Sequence, residues 1–180
     1  DSLLDTYNDE RVEAADENIL NSSRSTDFIT PKSGMSRIFR DAVLDLAQNN
    51  EFARPLVNSG RLSVPAIHDQ SPLNSPETGS FPARTRPGSS AADAPTDAGW
   101  LLDRIGGEFA VMTAGFAAPE VPEGVKQIHI ANPSPELKER YMGDAGGVTV
   151  LFRPDQHIAA RWAAPSATDI SAAIQRAKGA

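Results

Sequence analysis

The chain has 180 residues, of which 39% are hydrophobic and 23% charged, with a formal net charge of −7 and a pI near 4.9. That acidic balance argues against an electrostatic nucleic-acid or membrane-surface binder, because no basic stripe exists to neutralise phosphate. The absence of cysteine excludes disulfides, thiolate catalysis, Cys-ligated zinc and iron–sulfur clusters.

Residues 1–30 read as helix. Leu4, Tyr7, Ala14, Ala15 and Ile19 fall near one face and acids on the other. Pro31 ends that helix at or before Thr30. Ser33 is placed to cap a second helix, in which Met35, Ile38, Phe39, Ala42, Val43 and Leu46 recur at three- and four-residue spacing. After Asn49-Asn50, residues Phe52, Ala53, Leu56 and Val57 form a short further helix stopped by Asn58-Ser59-Gly60. The first part of the chain is therefore expected to be an antiparallel helical arrangement with one apolar face per helix.

Periodicity then vanishes. Pro65, Pro72, Pro76, Pro82, Pro87 and Pro95 punctuate residues 63–98, which reads as a linker that wraps a surface or is partly disordered, and marks a domain boundary. Arg84 and Arg86 in this stretch read as solvated. From Gly99 onward order returns. Residues 100–105 read as a short helix ended by Gly106-Gly107, and 109–113 and 125–130 as strands. Ser134 and Pro135 open a helix through Tyr141. Residues 148–162 form a hairpin about a Pro-Asp turn, and 168–177 a last helix carrying Ile170 and Ile174. The order α-β-β-α-β-β-α is that of a thioredoxin-like α/β fold with its last strands antiparallel. The expected organisation is 1–62 helical, 63–98 Pro-rich linker and 99–180 thioredoxin-like.

Candidate chemistry is sparse. The thiol pair that a redox-active thioredoxin fold needs is missing; the segment after the first strand is Ala114-Gly115-Phe116-Ala117-Ala118-Pro119. His129 and His157 lie on strands and would need Asp155 or Asp144 to complete a metal site; their spacing matches no ligand motif, and both read as ordinary strand residues. His68 lies in the linker with no visible partner. Arg153 and Asp155 flank the turn and, with Arg161 beside Trp162, could bind an anion or a partner; a turn ion pair with Trp162 in the core is the simpler reading. Ser22, Ser23, Ser25 and Thr26 around Arg24 read as helix-end hydrogen bonding rather than a phosphate contact. Asp9, Glu10 and Glu13 form an acidic, solvated helix face, with Arg11 in an ion pair within the helix or between domains. No Gly-x-Ser-x-Gly and no Gly-x-Gly-x-x-Gly occurs. The sequence thus assigns no catalytic, cofactor-binding or metal-ligating residue within the chain. No apolar run approaches about 18 residues, so no membrane span is expected, and no leader pattern opens the chain.

Several segments carry a resemblance. Leu3-Leu4-Asp5-Thr6-Tyr7-Asn8-Asp9-Glu10-Arg11 is similar to an L-L-x-x-Y-x-x-E-R segment. Residues 21–31 and 52–63, Ser71-Pro72-Leu73-Asn74, Pro87-Gly88-Ser89-Ser90-Ala91-Ala92-Asp93-Ala94-Pro95, and the run Gly147–Trp162 with its Arg153-Pro154-Asp155 turn follow in matching order. Together they resemble the C-terminal part of FAD-dependent aromatic-ring monooxygenases of the phenol hydroxylase and 3-(3-hydroxyphenyl)propionate hydroxylase type. The resemblance implies a redox-inactive thioredoxin-like domain after the helical end of a FAD/substrate domain. It implies FAD and NAD(P)H in a parent cytoplasmic enzyme that hydroxylates a phenolic ring with O2, but neither cofactor within these residues. It also implies the FAD domain and a second copy of the chain as partners, since Leu3, Leu4 and Tyr7 would otherwise meet solvent unless the first residues fray. Asp1 in place of Met fits a fragment. Gly143-Asp144-Ala145 is only a chance likeness to a flavin motif, lying in the wrong half with no helix after it. The other expectation is a free-standing, non-catalytic interaction module.

Overall fold

The computed structural model describes residues 2–57 and 65–180, which fall into two compact units, one of residues 11–66 and one of residues 1–10 with 67–180. The expected helix stop at Asn58-Ser59-Gly60 lies outside the described residues.

Helix α1 spans Ser2–Ile29 and contributes to both units. Pro31 closes it two residues on, because the backbone before a proline is driven out of the helical region. In the smaller unit α2 runs Gly34–Asn49; the Ser33 hydroxyl accepts the Ser36 N–H at 3.1 Å, satisfying one of the orphan donors of its first turn. A 3-10 turn at Glu51–Ala53 and the short α3, Arg54–Val57, follow. The apolar stripe of α2 is where the spacing put it, but it faces outward. Met35, Ile38, Phe39 and Leu46 are exposed, as are Phe52 and Leu56, and of the stripe's large residues only Val43 is buried.

The larger unit is an α/β fold. A two-residue ribbon, β1 (Pro95–Thr96) against β2 (Gly99–Trp100), leads into α4, Leu101–Ile105. Then come β3 (Ala110–Ala114), β4 (Lys126–Ile130), the single turn α5 (Pro135–Leu137) with a π turn at Lys138–Met142, β5 (Val148–Phe152), β6 (Ile158–Trp162) and α6 (Ala167–Ala177). These match the expected elements within about two residues. The sheet is mixed, in the order β4-β3-β5-β6, with β3 and β4 parallel and the other neighbours antiparallel. Parallel neighbours need a crossover connection, usually a helix; here residues 115–125 make it without one.

All five residues of β3, β5 and β6 are buried, as expected of strands covered on both faces, which read as continuous apolar runs rather than alternation. On one face Leu101, Ile105, Leu137 and Tyr141 pack over Met112, Ile128, Val150 and Phe152. On the other, Ile170, Ala173, Ile174 and Ala177, one stripe of α6, pack over Val111, Leu151 and Trp162. α6 is started by a capping box between Ser166 and Asp169.

The Pro-rich stretch from residue 67 belongs to the sheet unit. It runs along the outer edge of β6, tied by backbone bonds. Ser75 N–H donates to Ala159 O at 2.8 Å, Gly88 N–H to Ile158 O at 2.8 Å, Ile158 N–H to Ser89 O at 2.9 Å, and Ala163 N–H to Thr78 O at 3.0 Å. Gly88 holds a left-handed φ of +88° against the His68 carbonyl, where a side chain would collide. The Tyr141 hydroxyl donates to Ala92 O (2.7 Å) and accepts Ala92 N–H (2.8 Å), pinning the stretch from beneath. The proline density explains the lost periodicity: the segment follows a sheet edge by selected bonds rather than by forming a regular element.

Candidate functional site

The densest set of ionisable groups lies where the β5–β6 turn meets the start of α1, wholly within the larger unit. Arg153 follows the last residue of β5, and its side chain is 9% exposed. Its Nη1 and Nη2 donate to Glu10 Oε1 (2.7 Å) and Oε2 (2.9 Å), a fork-to-fork pair. Nε and Nη2 also donate to Asp155 Oδ1 (3.2 Å) and Oδ2 (2.6 Å). The Ser71 hydroxyl donates to Glu10 Oε1 at 2.6 Å. Asp155 further accepts the His157 N–H at 3.2 Å, while His157 Nδ1 lies 3.4 Å from Oδ2, off hydrogen-bond alignment. The rings of His68 and His157 pack at 5.1 Å between centroids.

Electrostatics follow from that geometry. Burial alone would push the Glu10 carboxyl up, but the bonds from Arg153 and Ser71 outweigh it and hold it below its ordinary range. Burial acts the same way on Asp155, and the contacts to His157 and Arg153 hold it far below the usual carboxylate range. For Arg153 burial works toward deprotonation, and Glu10 with Asp155 overrides it.

A second buried arginine, Arg161 on β6, serves the edge stretch. Its Nε donates to Glu77 and its Nη1 to Pro82 O (2.7 Å) and Thr85 Oγ1 (3.1 Å), with the guanidinium over the Phe81 ring at 5.3 Å. Thr85 in turn donates to Arg140 O at 2.6 Å. Both arginines commit their forks to protein acceptors, so the arrangement clamps chain segments instead of presenting donors to an anion.

The structure sorts the sequence expectations accordingly. The Arg153–Asp155 turn pair and the buried Trp162 are as expected. Glu10 is a correction: on the sequence it belongs to a solvated acidic face, yet it is buried against Arg153, whereas Asp9 and Glu13 are exposed. His68, expected without a visible partner, packs on His157. Ser71 and Glu77, which complete the two clusters, carried no sequence signal, because their partners lie 61 and 84 residues away. Ser22, Ser23, Ser25 and Thr26 lie within α1, and Thr26 O accepts from the Thr30 hydroxyl and N–H.

His129 and His157 do not converge. His129 is on β4 and bonds Phe116 O at 3.0 Å, while His157 begins the β6 side, at the other edge of the sheet. Three strand spacings separate those edges, about 14 Å. Among the described residues no group of three or more His, Asp or Glu is placed to hold a metal, and no helix is long and apolar enough to cross a membrane.

Gly143-Asp144-Ala145 lies in the turn between the π turn and β5, with no helix N-terminus behind it to face a pyrophosphate. A groove of about 820 Å³ beside α6, floored by Leu73, Trp162 and Ala173, is large enough for a small ligand. Asp169 on its wall is engaged in the helix cap.

No protein-family model matches the chain, and no curated protein does. Solved structures do. The rebeccamycin biosynthetic enzyme RebC with reduced flavin superposes on 99% of this chain with a TM-score of 0.63 at 20% identity, using 36% of its own length. RebC-10x soaked with chromopyrrolic acid, with bound 7-carboxy-K252c, gives 0.65 at 21%, again over 99% of this chain and 37% of that one. The flavin-dependent monooxygenase PieE, in complex with FAD and substrate, overlaps more loosely, with a TM-score of 0.45 at 19% identity over 98% of this chain and 39% of its own. The chain thus spans a little over a third of the length of these proteins, and it shares the fold of that part of RebC.

Proposed function

We propose that this chain is the C-terminal portion of a cytoplasmic flavoprotein monooxygenase that hydroxylates a phenolic or other aromatic ring with NAD(P)H and O2. In this reading residues 1–62 are the helical end of the FAD/substrate domain and 63–98 the connecting stretch. Residues 99–180 are a redox-inactive, thioredoxin-like domain serving structure and subunit association. The remainder of the protein binds FAD and NAD(P)H, and the partners of this portion are that FAD domain and a second copy of the chain. The observation that carries the reading is the superposition on RebC, a protein solved with reduced flavin, along 99% of this chain. The ordered motifs from Leu3 to Trp162 support it. So does the sheet order β4-β3-β5-β6, which agrees with a thioredoxin-like topology. The apolar stripe of α2 supports the FAD domain as partner, because an exposed face of that kind marks an interaction surface.

The test is to sequence the reading frame upstream of Asp1 and to express the whole of it. A Gly-x-Gly-x-x-Gly strand–helix unit, bound FAD and phenol-dependent NAD(P)H oxidation are expected. A stop codon just before Asp1 would refute the proposal and leave a stand-alone, non-catalytic interaction module.

A further inference from the structure

The two edges of the sheet are treated differently. β6 is covered by the Pro-rich stretch. On the outer side of β4, among the described residues, no backbone hydrogen bond is made. Lys126 N–H donates to Phe109 O, so the alternation of a parallel ladder turns Lys126, Ile128 and Ile130 toward β3. The N–H and C=O groups of Gln127 and His129 then point outward, and both residues are exposed. Few of the devices that blunt natural edges are present. β4 has no proline, its register with β3 is unbroken, and Lys126 is its one charge.

We propose that β4 pairs antiparallel with β4 of a second copy of this chain, making one sheet continuous through a two-fold axis at Ile128. The occupant follows from the strand's self-match. With the axis at Ile128, Gln127 of one copy faces His129 of the other and exchanges both backbone bonds with it, which satisfies every outward group. Lys126 faces Ile130, so no like charges oppose. The side chains of Gln127 and His129 are already held by Pro119 O (2.6 Å) and Phe116 O (3.0 Å), so the edge is ordered before pairing. A five-residue edge buries less than the roughly 1,200–2,000 Å² of a standard interface, which makes the association weak and concentration-dependent. The proposal deepens the subunit-association reading above and rests on it.

Analytical ultracentrifugation of the full chain across a concentration series tests it, alongside cross-linking. Gln127→Pro removes an outward N–H that the β3–β4 ladder leaves unused, and an edge position accepts proline. Its self-association is expected to weaken roughly tenfold or more, with the far-UV circular dichroism unchanged. If that variant misfolds, Gln127→Lys with His129→Lys sets like charges across the axis and weakens the dimer instead. In this cysteine-free chain, Gln127→Cys with His129→Cys should give an oxidised interchain dimer, since a hydrogen-bonded pair has Cα atoms about 5.5 Å apart, inside disulfide range. Gln127→Cys alone should not. A dimer that survives Gln127→Pro and yields no cross-link overturns the β4 edge while leaving subunit association standing. A parent chain that stays monomeric throughout overturns both.

Discussion

Replacing Arg153 with Met should be strongly damaging to the sheet unit. The Glu10 and Arg153 side chains are 10% and 9% exposed, so solvent screening discounts their pairing little. The Arg153→Met substitution would leave the Glu10 carboxylate buried with the Ser71 hydrogen bond but no guanidinium, a poorly compensated buried charge worth about 3–5 kcal/mol. Asp155 would lose its guanidinium as well, but it is 48% exposed and water takes over there. Both tryptophans, Trp100 and Trp162, belong to this unit, so urea unfolding followed by tryptophan fluorescence reads it selectively. With a slope near 2 kcal/mol/M the midpoint should fall by roughly 1.5–2.5 M. Glu10→Gln should cost less, about 1–3 kcal/mol, because Arg153 keeps Asp155. Adding Glu10→Gln to Arg153→Met should restore part of the loss, since the orphaned charge goes with it. The pair also sets an acid limb. A carboxyl held low in the folded state contributes stability that is present above its unfolded pKa and lost as pH falls through the folded one. In the parent, stability should therefore hold at neutral pH and decline below the ordinary carboxylate range of about 4; the Glu10→Gln chain should show a shallower decline. An Arg153→Met midpoint within about 0.3 M of the parent would refute the clamp.

Three further outcomes are expected from the same assay. Tyr141→Phe leaves the buried Ala92 N–H and C=O without their shared hydroxyl and should cost about 1–3 kcal/mol. Gly115→Ala, at φ +78° with a Cβ driven into the Gly146 carbonyl, should cost about 1–3 kcal/mol or block folding, whereas the open-space Gly107→Ala should be near neutral. Ser166→Ala removes the hydroxyl half of the α6 capping box and should cost about 1 kcal/mol, visible as a lowered thermal midpoint.

What was legible in the sequence was local. The strands at residues 110–114 and 148–152 announced themselves as short apolar runs, Ser33 and Ser134 as caps, and Pro31 as a stop, because each signal acts within a few residues. The clamps were not legible. Glu10 meets Arg153 across 143 residues and Glu77 meets Arg161 across 84, and no periodicity encodes such a pairing. Nor did the spacing help on α1: Glu10 and Ala14 are buried there, while Leu4, Tyr7 and Ile19 of the expected apolar face are exposed. The Pro-rich stretch, read as a linker that wraps a surface or is partly disordered, lacks periodicity because its order is borrowed from β6, to which it is bonded at chosen points.

That borrowed order has a consequence for how the chain comes into being. Synthesis runs from the N-terminus, so the edge stretch and the start of α1 are both made long before Arg161 and Arg153 exist to receive them. Until the β5–β6 hairpin forms, Glu10 and Glu77 lack the arginines that clamp them, and closing such long loops comes late and slowly. The hairpin is therefore a late keystone: a chain ended before residue 153 should lose both arginine clamps at once, however intact the residues of the helix start and the edge stretch remain.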